Sequence, residues 1–125
     1  MFKAALFVFI GGGIGSTLRY ALSIAFGTDQ PWHVGTLAAN ILGCFILGYL
    51  SHYFSLSDTT NQSLYLLLAT GFCGGFTTFS TFSLEGFALI DKSKILLFLL
   101  YVLVSISIGI FGIIAGQWIS KIIHT

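Results

Sequence analysis

One stretch of this sequence, residues 71–83, combines glycine, hydroxyl and phenylalanine residues in the middle of a long hydrophobic segment. Five of its last seven residues carry hydroxyl groups, namely Thr77, Thr78, Ser80, Thr81 and Ser83. Gly74 and Gly75 offer the backbone freedom to leave helical geometry. Irregular backbone at membrane depth is tolerated only where it is buried in protein or lines a polar cavity. The stretch therefore predicts an interrupted membrane helix that handles a small polar solute or an ion.

The glycines of the same stretch also allow a purely structural interpretation. Gly71 and Gly75 are four residues apart, as are Gly11 and Gly15 in the first hydrophobic segment. Small residues at this spacing let two membrane helices approach each other closely. Helix packing is therefore the alternative for Gly71 and Gly75, although the density of hydroxyl groups after them exceeds what a packing seam requires.

Three more polar residues lie inside hydrophobic segments. Asn40 is near the centre of the second segment, where its carboxamide must bond a partner helix or a permeating species because unsatisfied burial is costly. Arg19 lies seven residues before the end of the first segment. It is either an anchor that snorkels to the interface or a charge at the foot of an aqueous vestibule that attracts anions. Glu85 is either a functional intramembrane acid or a solvated helix terminus.

The fourth segment carries small and polar residues along one helix face, namely Tyr101, Ser105, Gly109, Gly112 and Gly116. Helix packing is the default interpretation of this face, and Tyr101 and Ser105 are also candidates for a polar track. The histidines at positions 33, 52 and 124 lie at segment ends and are interpreted as interfacial residues rather than as ligands. No nucleophile–base pair, metal-ligand cluster or phosphate loop occurs, so the sequence predicts no enzyme.

Composition places these residues in a membrane protein. Apolar residues make up 56% and charged residues 7% of the 125 positions, whereas soluble domains carry about 25% charged residues. Each of four hydrophobic segments reaches the length of about 20 residues that a bilayer helix needs; they are residues 4–26, 33–54, 64–90 and 95–123. We expect one all-α domain, 1–125, with four transmembrane helices, the third interrupted at mid-membrane. Cys44 and Cys73 lie inside these segments and are interpreted as buried apolar residues.

The distribution of charge bears on topology and partners. The net charge is +1 with no basic tail, which argues against a nucleic-acid partner. Lys3 and Lys121 lie on one predicted side of the membrane, and Lys92 and Lys94 on the other. The positive-inside rule therefore gives no clear orientation, and insertion in both orientations is permitted. Because four helices enclose little room, a conduction path would form more naturally between subunits.

With these residues, the chain resembles the Fluc/CrcB family of small fluoride channels over nearly its full length. The matching motifs are residues 11–15 with 19–20, residues 35–43, and residues 71–82, of which the last is highly specific. The resemblance implies a fluoride-selective passive channel that exports fluoride across the bacterial inner membrane and relieves its toxicity. It also implies an antiparallel, dual-topology homodimer with two pores, so the partners are fluoride, a second copy of the chain and the lipid bilayer.

The resemblance also implies roles for particular residues. A structural Na⁺ would lie on the two-fold axis, bound by the main-chain carbonyls of Gly74 and Thr77 from both subunits. Fluoride would pass along side chains that include the family's asparagine, its paired phenylalanines and its fourth-helix tyrosine. The pathway residues are then Asn40, Phe79, Phe82 and Tyr101, with Ser80, Thr81 and Ser105 on a polar track and Arg19 at the vestibule.

Two other classes of function stay open on the residues themselves. A small proton-coupled multidrug-type exporter would also suit four short spans, but it needs a proton-titrating carboxylate deep in the first helix. The charge found at that depth in this chain is Arg19. A membrane scaffold without transport activity is the third class.

Overall fold

The computed structural model describes residues 1–27, 29, 32–56 and 61–125, and within these ranges the chain is helical and contains no strand. Four helices are long and apolar enough to cross a membrane. They are α1 (Phe2–Phe26), α2 (Val34–Ser55), α3 (Gln62–Asp91, with one interruption) and α4 (Ile95–Ile123). The prediction of an all-α protein with four membrane-spanning helices is confirmed, with helix ends within two residues of the predicted ones.

Local signals in the sequence account for several helix ends. α1 ends before Gly27, whose φ of 73° lies in the left-handed region that glycine adopts without strain. α3 begins after Asn61, whose side chain accepts a hydrogen bond from the Leu64 backbone N–H at 3.1 Å. This is the usual role of asparagine as an N-cap, since the first N–H groups of a helix have no partner within it.

α1 packs against the first half of α3 through glycine on both helices. A Cβ atom at Gly11 would meet the Leu67 carbonyl oxygen, and one at Gly75 would come within 2.9 Å of the Gly12 Cα. Backbones can lie this close only because neither position carries a side chain. The packing interpretation of these glycines is therefore confirmed.

α2 and α4 form the other close helix pair, and they too meet at glycine. A Cβ atom at Gly48 would lie 2.7 Å from the Ile113 Cα, and one at Gly116 would lie 2.7 Å from the Tyr49 backbone nitrogen. The small-residue face of the fourth segment is thus a packing face over this part of its length. Both cysteines are free, and Cys73 is buried beside Leu50 and Phe54.

The interruption of α3 lies near the middle of the span. Helix continues as far as Phe76, partly in a wider π-helical form over Leu66–Cys73, and it resumes at Ser80. Thr77 between these halves is extended, with φ −85° and ψ 158°. The expectation that Gly74 and Gly75 leave helical geometry is wrong, because both remain in the helix and Gly75 serves the contact with α1. The backbone leaves the helix at Thr77 instead.

Candidate functional site

Asn40 on α2 binds the backbone of the interruption in α3. Its Nδ2 donates to the Thr78 carbonyl oxygen at 3.1 Å, and the Thr78 N–H donates to its Oδ1 at 2.7 Å. Because the helix is broken here, neither backbone group of Thr78 has a partner within α3. A backbone group without a partner in a membrane is costly, and Asn40 supplies both partners. One N–H of the Asn40 carboxamide is left over, and no acceptor for it occurs among the described residues.

A cavity of about 340 Å³ opens beside this clamp, between α2, the interruption and α4. The aromatic part of its wall is made by Phe79 and Phe82, whose ring centroids are 6.2 Å apart with the planes tilted by 40°. Its other lining residues include Asn40, Thr77, Thr78 and Ser105. The structure thus brings four predicted pathway residues, Asn40, Phe79, Phe82 and Ser105, to one cavity.

Ser105 carries the most informative polar group of this cavity. Its hydroxyl oxygen is buried and has no hydrogen-bond partner in the described part of the chain. Leaving a buried hydroxyl unsatisfied costs about 1–3 kcal/mol. Ser105 is also one of the residues that line the cavity.

The second half of α3 begins at the same cavity with a group of hydroxyl residues. Thr78 Oγ1 accepts a hydrogen bond from the Thr81 N–H at 3.2 Å and lies 3.4 Å from Ser80 Oγ. Ser80 and Thr81 thus surround the N-terminus of a 12-residue helix, the end that carries partial positive charge. Thr78, which the sequence offered only as one of five hydroxyl residues, both caps this helix and receives the Asn40 clamp.

Tyr101 does not present its hydroxyl group to the cavity. It donates to Glu85 Oε2 at 2.7 Å, while its ring lies 5.1 Å from the ring of Phe82, centroid to centroid. The other carboxylate oxygen of Glu85 accepts from Thr36 Oγ1 at 2.6 Å. The Glu85 side chain is only 16% exposed. The interpretation of Glu85 as a solvated helix terminus is therefore wrong, and it belongs to a polar cluster behind Phe82.

His33 is a member of the same cluster that the sequence analysis missed. Its Nδ1 lies 3.7 Å from Glu85 Oε1, and its ring centroid lies 5.8 Å from that of Tyr101. The interpretation of His33 as merely interfacial is thus incomplete. His52 and His124 lie at the other end of α2, near Ser120 and Tyr49 respectively. Thr36 and His33 lie 49 or more positions from Glu85 in the sequence. No local pattern in the sequence could therefore indicate that they contact Glu85.

Arg19 approaches the interruption from the side of α1. Its Nε donates to the Gly75 carbonyl oxygen at 3.2 Å, and Ser16 Oγ donates to the same oxygen at 3.4 Å. A cation at the C-terminal end of a helix is favourable because the last carbonyl groups have no partner within the helix. Arg19 is not among the residues that line the cavity. It caps the first half of α3, a role that neither sequence interpretation anticipated.

The carbonyl groups of Gly74 and Thr77 fit the predicted cation site in one respect. Among the described residues neither oxygen accepts a hydrogen bond, although the neighbouring carbonyls of Cys73, Gly75 and Thr78 all do. Free carbonyls of an interrupted membrane helix are the groups that coordinate Na⁺ in transport proteins. These two oxygens are therefore available to a hard cation.

Comparison with known proteins decides the family. Residues 6–117 match the family described as CrcB-like protein, Camphor Resistance (CrcB). The chain belongs to the CrcB family. This is the family that motifs 11–15, 35–43 and 71–82 indicate, so the resemblance seen in the sequence is confirmed.

Relatives of this CrcB-family chain extend over nearly its full length. The protein of Phocaeicola vulgatus is 42% identical over 125 residues, covering 95% of this chain and 99% of its own. That of Leptospira interrogans is 44% identical, covering 95% of each chain, and that of Chlorobium phaeobacteroides is 40% identical, covering 97% and 95%. All three are named fluoride-specific ion channel FluC. Family and helices together indicate a multi-pass membrane protein that is not an enzyme.

Proposed function

We propose that this CrcB-family protein is a fluoride-selective passive channel. The observation that carries the proposal is the cavity beside the interruption of α3, which is lined by Asn40, Phe79 and Phe82. Polar and aromatic residues share its wall, since Ser105 and Thr78 line the same space. Its relatives of 38–44% identity, named fluoride-specific ion channels, support fluoride as the permeating anion.

The groups in the cavity suit a small, strongly hydrated anion. Hydroxyl and amide hydrogens replace water as donors, and the edges of aromatic rings carry the positive part of the ring quadrupole. The N-terminus of the second half of α3 adds partial positive charge. The residues that line the cavity include no Lys or Arg. A wall without a fixed cationic side chain favours passage of the anion, because conduction requires the ion to leave the site as readily as it enters.

The channel we propose is an antiparallel homodimer with two pores. Phe79 is 80% exposed in the single chain although it forms part of the cavity wall. A second subunit that covers this ring would close the cavity into a path, as four helices alone do not enclose one. The balanced distribution of lysines fits insertion in both orientations.

A structural Na⁺ at the centre of the dimer is part of the same proposal. The free carbonyls of Gly74 and Thr77 would bind it, and two oxygens from one chain are too few for a hard cation. A second subunit would supply the remaining two. Bound sodium should therefore persist when the purified dimer is washed in sodium-free buffer and analysed by atomic emission. Dimers that conduct fluoride but retain no sodium would remove the ion from the proposal.

We further propose that the channel lies in the bacterial inner membrane and relieves fluoride toxicity by passive export. The alternative function, a proton-coupled exporter, requires a carboxylate deep in the first helix, and α1 contains none. Glu85 is nevertheless a buried acid inside α3, so proton coupling has to be tested directly.

Fluoride efflux from liposomes tests the proposed function. Purified protein is reconstituted into liposomes loaded with potassium fluoride, and efflux is followed with a fluoride electrode after valinomycin is added, with and without a pH gradient. A passive channel releases fluoride in both conditions and leaves chloride-loaded liposomes closed. Release only with a pH gradient would favour the exporter, and no release in either condition would favour a scaffold.

A further inference from the structure

The cluster of Glu85 lies directly behind the aromatic wall of the cavity. Its two carboxyl oxygens each accept a hydrogen bond, one from Thr36 Oγ1 at 2.6 Å and one from Tyr101 OH at 2.7 Å. Tyr101 in turn contacts Phe82, ring centroid to ring centroid at 5.1 Å. The Glu85 carboxyl group is thus held one side chain away from the wall that the proposed anion passes.

His33 is placed to change the net charge of this cluster. Its Nδ1 lies 3.7 Å from Glu85 Oε1, and the two side chains are 27% and 16% exposed. The imidazole ring also faces the Tyr101 ring from the N-terminal end of α2. Histidine is the side chain whose charge ordinarily changes between about pH 5 and 8.

Other charged groups near this end of the bundle do not take part in the pair. In the part of the chain that the structure describes, Glu85 on α3 and Tyr101 on α4 are the titratable side chains that lie beside His33. Within the described ranges, Asp29 in the preceding loop and Asp91, Lys92 and Lys94 beyond Glu85 form no ion pair with either residue. The charge of the cluster therefore depends on His33 and Glu85.

We infer that His33 is a positioning residue that acts through Glu85 and makes fluoride conduction increase as the pH falls. With neutral His33, the cluster carries the single negative charge of Glu85, which repels an anion at Phe82. With protonated His33, the pair is electrically neutral and the repulsion is removed. The inference rests on the proposed function, since it requires fluoride to pass the cavity.

Fluoride currents across planar bilayers test this inference, because electrical current does not record neutral hydrogen fluoride. The pH is kept equal on both sides and varied from about 8 to about 6. We expect the wild-type conductance to rise about threefold over this range, as removal of one nearby charge allows. His33→Gln should give a conductance that does not change with pH and stays at the level of the wild type at high pH.

Two further variants separate this mechanism from a structural role of His33. Glu85→Gln should raise the conductance at high pH, because it removes the negative charge that repels the anion while His33 is neutral. His124→Gln, at the other end of α2, should keep the wild-type profile. His33→Asn serves as a second variant if His33→Gln does not elute as the wild-type dimer.

Each outcome is decisive for one proposal or the other. A flat wild-type profile overturns the inference without any variant, and so does a wild-type profile that persists in either His33 variant. Absence of fluoride current at every pH would instead overturn the proposed function. A rise that requires His33, together with a raised high-pH conductance of Glu85→Gln, supports the inference.

Discussion

Asn40 combines, at the level of single residues, two roles that a sequence can only present as alternatives. Its carboxamide holds the backbone of Thr78 through two hydrogen bonds, and Asn40 also lines the cavity. Ser105 contributes a hydroxyl group without a partner among the described residues, and Phe79 and Phe82 contribute aromatic rings. The site is therefore built from neutral groups that each provide a modest interaction with an anion.

Replacing Asn40 by alanine should abolish fluoride flux while the dimer remains intact. The change removes the free amide hydrogen and leaves the N–H and C=O groups of Thr78 unpaired, at a cost of about 1–3 kcal/mol each. Liposome efflux and size-exclusion chromatography measure the two effects. Asn61→Ala is the matched control, since it removes only a helix cap worth about 1 kcal/mol and should leave flux unchanged. Near-normal flux in Asn40→Ala would exclude Asn40 from the mechanism.

The second residue-scale prediction concerns the aromatic wall. Phe79→Ile and Phe82→Ile should each lower fluoride flux sharply, because isoleucine keeps much of the bulk but has no ring quadrupole. Methionine, which is polarizable and flexible, should be tolerated better. Stability in detergent should change by less than about 1.5 kcal/mol, as for other apolar swaps of similar volume.

The control for these variants is Phe72→Ile. Phe72 stacks on Phe76 at 5.4 Å between ring centroids and does not line the cavity. Its replacement should leave fluoride flux unchanged. If Phe79→Ile and Phe82→Ile both conduct fully as folded dimers, the rings have only a packing role.

The interrupted helix organises the molecule at the scale of secondary structure. Its first half is held against α1 by close backbone contact and is capped by Arg19. Its second half is capped by the hydroxyl group of Thr78. The interruption is therefore supported from both sides. An extended residue in mid-span persists because side chains of α1 and α2 satisfy the groups that the break exposes.

Adding one methyl group at the contact of α1 with α3 should destabilise the protein. In Gly11→Ala, the new Cβ would meet the Leu67 carbonyl oxygen and would lie 2.8 Å from the Phe72 nitrogen, both of which are backbone atoms that cannot rotate away. We expect a loss of about 1–3 kcal/mol or more, seen as a lower melting temperature in detergent. Gly13→Ala, where no atom lies within 4 Å, should be neutral. Equal stability of the two variants would contradict this packing.

At the scale of the whole molecule, a single chain forms only part of the proposed fluoride pathway. Phe79 is largely exposed, α2, α3 and α4 line one side of the cavity, and the carbonyls of Gly74 and Thr77 accept no hydrogen bond from the described residues. A second copy in the opposite orientation would complete all three features. Lys3 and Lys121 on one side of the membrane balance Lys92 and Lys94 on the other. The positive-inside rule therefore predicts no preferred orientation.

Labelling of a cysteine at position 58 tests this arrangement. Asp58 falls between α2 and α3 in the sequence and lies outside the described residues. In a variant with Cys44 and Cys73 replaced by alanine, Asp58→Cys should react with an impermeant reagent in about half of the molecules in intact cells, because both orientations are equally populated. Permeabilised cells, in which all molecules should react, are the control. Labelling of all or none in intact cells would show a single orientation and contradict the two-pore dimer.

The sequence by itself determined the class of protein, the four spans and the residues around which the site is built. Hydrophobic length and scarcity of charge decide membrane insertion locally, and an asparagine, hydroxyl groups and aromatic rings at that depth are conspicuous because hydrocarbon offers them no partner. The tertiary structure alone decided where α3 breaks, that Arg19 caps its first half, and that His33 and Glu85 meet. These depend on which helices lie side by side, and the contacts join residues 52 to 56 positions apart in the chain. Local patterns carry no information about such pairs, because the energy that selects them arises only when the helices pack.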